Sequence, residues 1–288
     1  MNKEKIAKTI STFTNPPIIC IPLFLIISAV LSFENGAFNF NKFIIVELIS
    51  IVFASILPMA IILYWARKLN TDGDISNRQD RFTPLIVGVV SYFIGFLVSL
   101  SLNIDNFLTL LLLCYSINTF IVMLITLKWK ISIHTTGLSG PVAALILLLG
   151  PVGALFGILY PILIWSRVTL KKHTMAQAIA GGVQGFFLTV IEIYLFMNVF
   201  NIPVLNITHL TVSCLYILAI IAAPVFLGIL AYTNRSKLIF IILEAISFAL
   251  FLMFAPLNVF IIFLLVSITS VLISLYAGDD FGWHEIIR

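Results

Sequence analysis

The residues of this 288-residue chain best equipped for bond-making chemistry are two histidines and three arginines: His134, His173, Arg78, Arg81 and Arg167. A neutral imidazole can attack phosphorus or pass a proton, and a guanidinium fork binds phosphate oxygens in pairs. These residues fall in three polar stretches: ARKLNTDGDISNRQDRFTP (66–84), KWKISIHTTG (128–137) and SRVTLKKHTMAQ (166–177). The first also holds three carboxylates, Asp72, Asp74 and Asp80. Lys128, Lys130, Lys171 and Lys172 read as topology markers flanking apolar blocks.

The elements between these stretches are set by composition. Hydrophobic residues make up 61% of the chain and charged residues 10%, against roughly 25% charge in a soluble domain. That balance excludes a soluble globule and a disordered chain, and leaves an all-α integral membrane protein. Apolar blocks at 16–33, 43–65, 83–102, 107–127, 174–200, 210–232, 238–256 and 259–277 each approach the ~20 residues of a membrane span. The block at 138–165 is interrupted at Gly150-Pro151 and predicts two short crossings, for ten segments in all. With a cytoplasmic N-terminus, ten segments leave Lys42 as the one cation outside, whereas nine would scatter the cations over both sides. Both termini are then cytoplasmic, and an even number of crossings puts the three polar stretches on that same face. The basic start reads as an uncleaved first span. Cys20, Cys114 and Cys214 lie in apolar runs and make no disulfide framework. The net charge of +4 is dispersed, with no stripe for nucleic acid.

The run Ser166-Arg167, five residues, His173, then AIAGG resembles the third signature of the type 2 phosphatidic acid phosphatase superfamily, SRxxxxxHxxxD. Ser132 and His134 in ISIH match part of the second signature, PSGH, and Arg81 matches the arginine of the first, KxxxxxxRP. Asp74 stands in place of the first signature's lysine, Phe82 in place of its proline, and Gln177 in place of the third signature's aspartate. The resemblance implies a six-helix phosphatase-like core at 43–200, preceded by a tail and first span at 1–42 and followed by extra spans at 201–288. It implies a metal-independent hydrolase, without cofactor, that cleaves a phosphate monoester or diphosphate from a lipid or isoprenoid through a phosphohistidine; the topology above puts that site at the inner membrane's cytoplasmic face. His173 would be the nucleophile and His134 the general acid. Gln177 would hold the nucleophile, and Arg167, Arg81, Arg78 and Ser132 would bind the phosphate. Asp72, Asp74 or Asp80 would supply the charge that Gln177 lacks.

Two other readings compete. The Asp-rich stretch 70–84 is similar to the magnesium-binding loop of intramembrane prenyltransferases, which need a second such loop; Asp279-Asp280 alone could serve. A non-catalytic lipid-binding or lipid-translocating relative would also fit the replaced signature residues. Intramembrane Glu47, Glu192 and Glu244 read as snorkelling or hydrogen-bonded structural carboxyls rather than catalytic ones, and Gly181, Gly182 and Gly185 as a close helix contact.

Overall fold

The computed structural model describes residues 3–34, 36–68 and 79–199. Asp72, Asp74, Arg78, Glu244, Asp279, Asp280 and the three blocks expected after 200 lie outside the described residues. Within them the chain is an all-α membrane protein. Five helical stretches are long and apolar enough to cross a bilayer: Phe40–Lys68, Gln79–Ser101, Asn106–Thr126, Val152–Thr169 and Met175–Phe196. A bent pair, α1 (Lys3–Phe13) and α2 (Pro16–Leu31), qualifies as a sixth, broken span by 58°. Phe93, Ile94, Leu97 and Leu100 on α5 (Phe82–Ser101) are exposed, as lipid-facing side chains should be.

The basic N-terminus, expected as a tail, is an amphipathic helix. Ala7, Ser11 and Thr14 are buried on one side, whereas Glu4, Lys5 and Lys8 face out. The helix stops at Asn15, whose ψ of 131° is extended because Pro16 follows. A hairpin of two-residue strands, β1 (Phe33–Glu34) and β2 (Ala37–Phe38), leads into α3 (Phe40–Ile51), a π-turn at Val52–Ile56 and α4 (Leu57–Lys68). The π-turn frees the carbonyl of Phe53, and Ser91 Oγ on α5 donates to it at 2.8 Å.

Next come α6 (Asn106–Thr126) and α7 (Ile133–Leu149). α7 begins five residues before the apolar block does, because Ser132 caps it, and its 17 residues span about 25 Å. Gly150, at φ 60° and ψ −130°, ends it in a conformation that side chains resist. Pro151 then starts α8 (Pro151–Ala154), which runs through a 3₁₀ turn into α9 (Leu159–Thr169). A Cβ on Gly153 would strike the Leu145 carbonyl, so the chain folds back along α7. The stretch is therefore two segments rather than one kinked helix.

The last described helix, α10 (Met175–Val199), packs on α7 through the glycine cluster. A Cβ at Gly181 would meet the Ser132 carbonyl, one at Gly182 the Tyr160 ring, and one at Gly185 Ser139 Oγ at 2.5 Å. Between helices, Glu47 accepts from Ser28 Oγ at 2.7 Å, and Glu192 accepts from Asn118 Nδ2 at 3.2 Å. Lys42 Nζ lies 2.9 Å from Glu34 and 2.8 Å from Asp105, the residue that caps α6. The Lys42 hydrogen bond holds the Glu34 carboxyl below its ordinary range.

Candidate functional site

Arg167 and His173 are set by two local motifs placed back to back. α9 ends in a Schellman turn: Lys172 N–H donates to the Arg167 carbonyl at 3.1 Å, and Lys171 N–H to the Val168 carbonyl at 2.9 Å. The turn requires a left-handed residue, supplied here by Lys171 at φ 54°. α10 opens with a capping box: Gln177 N–H donates to Thr174 Oγ1 at 3.3 Å, and Thr174 N–H to Gln177 Oε1 at 3.2 Å. His173 is the single residue between the two motifs, so its backbone has little freedom. The Gln177 side chain thus holds the backbone of Thr174, not the imidazole for which it was expected.

The imidazole is held from elsewhere. His173 Nδ1 lies 3.1 Å from the carbonyl oxygen of Lys130, in the loop before α7. A carbonyl only accepts, so Nδ1 carries the proton and Nε2 keeps its lone pair. That loop is fixed in turn: Ser132 N–H donates to the Gln177 carbonyl at 3.2 Å, and Arg81 Nη1 donates to the Ile131 carbonyl at 3.3 Å. His173 is 6% exposed. Burial, with the nearby charges of Arg167, Arg81 and Lys130, pushes its pKa down to about 3, which leaves a neutral ring at neutral pH.

His134 stands in the first turn of α7. Ser132, expected among the phosphate ligands, is fully buried as the cap of that helix: its Oγ accepts from Thr135 N–H at 3.4 Å, and its carbonyl from the hydroxyls of Thr135 and Thr136. Arg167 is 1% exposed and donates from Nη1 to Ser11 Oγ on α1, while Ser166 Oγ donates to the Ala7 carbonyl at 2.7 Å.

These residues meet in a cavity of about 120 Å³, lined at one end by Arg81, His134, Arg167 and His173. Residues of all three polar stretches, far apart along the chain, thus share one space. Asp80, on the 3₁₀ turn before α5, does not line it. α5, α7 and α10 all begin at this end, so three helix N-termini add their positive partial charge to that of the guanidinium groups. The arrangement can bind an anion and present it to a neutral imidazole.

Three contributors escaped sequence reasoning. Asn15, Pro16, Pro17 and Cys20 place the first span in the cavity wall, so the site draws on residues before 43. Ser11 has a detectable signal, since it shares the buried stripe of α1 with Ala7. The Lys130 carbonyl has none, because every residue carries one. No family model, curated protein or solved structure matches the chain.

Proposed function

We propose that this protein is a membrane-embedded lipid phosphatase, a divergent relative of the type 2 phosphatidic acid phosphatases, that acts at the cytoplasmic face. One observation carries the reading: two histidines and two arginines from three separate stretches line one cavity, and His173 presents a neutral Nε2. In this mechanism Nε2 attacks phosphorus in line, and the bond from phosphorus to the lipid oxygen breaks. His134 gives the leaving oxygen its proton, while Arg81 and Arg167 bind the equatorial oxygens. His134, now neutral, takes a proton from the water that attacks the phosphohistidine, which releases phosphate and restores both rings. The Lys130 carbonyl keeps Nδ1 protonated throughout. It supplies the orientation that the family's aspartate gives, without the negative charge.

The same reading places ten segments in the membrane with both termini cytoplasmic, 43–200 as the catalytic core with the first span completing its wall, and 201–288 as additional spans. It is supported by Lys128, Lys130, Lys171 and Lys172 flanking the cavity end, while Lys42 sits at the opposite end between two carboxylates. The test is phosphate release from a panel of lipid and isoprenoid phosphates in the presence of chelator. Turnover should persist without divalent metal and fall by a factor on the order of 10⁴ in His173→Ala. Activity that requires magnesium would point to the prenyltransferase reading instead. Phosphate release unchanged in His173→Ala would end the phosphohistidine mechanism.

A further inference from the structure

The cavity does not stop at its cationic end. Along α5 its lining runs Arg81, Leu85, Gly88, Tyr92, one face of the helix from its start to past its middle. Eleven residues at 1.5 Å each make that stripe about 16 Å deep. On α6 the matching stripe is Val122, Asn118, Tyr115. The deep end is an aromatic floor: the Tyr92 and Tyr115 rings have centroids 5.4 Å apart, Phe24 packs on Tyr115 at 5.5 Å, and Cys20 Sγ lies 3.8 Å from the Tyr115 hydroxyl.

The glycines along this wall divide into two kinds. A Cβ on Gly137 or Gly185 would meet a neighbouring helix at 2.6 or 2.5 Å, so those two allow helices to approach. A Cβ on Gly88 or Gly140 would find its first neighbour at 3.5 Å, ordinary contact, so those two leave width inside the cavity.

We infer that the site takes an amphiphile with a phosphate head, one tail of which enters the helix bundle past Gly88 and Gly140 and ends on the Tyr92–Tyr115 pair. The inference rests on the phosphatase reading for the identity of the head group. The tail chamber rests on the lining alone.

The probe is dodecyl phosphate with a diazirine on its terminal carbon, irradiated with the full chain in nanodiscs and mapped by peptide mass. Adducts should fall on peptides containing Tyr92, Tyr115 or Cys20 and disappear with excess unlabelled dodecyl phosphate. Adducts confined to lipid-facing Phe93, Ile94 and Leu97 would overturn the tail chamber. Among single-chain phosphates, Gly140→Leu should move the preferred length shorter and Tyr92→Ala longer, each changing the ratio of kcat/KM for hexadecyl to octyl phosphate at least fivefold. Ratios unchanged in both variants would also sink the idea. Internal labelling without phosphate release would keep the chamber and remove the phosphatase reading; phosphate release with external labelling alone would do the reverse.

Discussion

At the scale of single residues, the site depends on a backbone carbonyl and a distant serine as much as on its histidines. The depressed pKa of His173 has a consequence for stability. The unfolded ring titrates near 6.5 and the native one at about 3, so between those values the unfolded state binds the extra proton. Native stability from this group is complete above pH 6.5 and falls as the pH drops toward 3. The melting temperature of the detergent-solubilised protein should therefore decline through that window, and His173→Gln should flatten the decline; an identical slope in the variant would contradict the assignment. Ser11 tests the positioning of Arg167. Losing a hydrogen bond to a charged group costs about 1.5–3 kcal/mol. Ser11→Ala should thus raise KM for a lipid phosphate by roughly ten- to hundredfold, change kcat less, and be rescued by Ser11→Thr. A loss in kcat with KM unchanged, and no rescue by Ser11→Thr, would mark Ser11 as merely structural.

At the scale of elements, the legible parts were those with a composition signal. The apolar blocks at 83–102 and 107–127 became α5 and α6 nearly to the residue, and Gly150-Pro151 marked a real reversal. α1 was missed because its charged residues outweigh a stripe of small and β-branched ones, and its burial comes from α9, far along the chain. Ser166, Arg167 and His173 were legible as a spacing. What sets that spacing, a Schellman turn followed by a capping box, was not, because Lys171 occupies a position where glycine would have announced the turn. A lysine there pays a left-handed backbone cost of about 1–2 kcal/mol. Lys171→Gly should accordingly stabilise the protein by about 1 kcal/mol in thermal or denaturant unfolding without lowering phosphate release. Destabilisation would show that the lysine side chain contributes more than the turn does.

At the scale of the whole molecule, the cationic end of the cavity and the lysines Lys128, Lys130, Lys171 and Lys172 share one end. Cysteines placed at exposed Lys171 and exposed Asn103 report the two ends separately. Cys20 and Cys114 are buried, so a Cys214→Ser background keeps the readout clean. An impermeant maleimide should reach position 171 only from the cytoplasm and position 103 only from outside; the reverse pattern would turn the site outward. The contact between α1 and α9 also bears on how the protein is made. Ser166 reaches back 159 positions to the Ala7 carbonyl, so a nascent chain has delivered its first helix long before the partner leaves the ribosome. Translation therefore completes the cationic end of the cavity only once residues 166–173 have emerged.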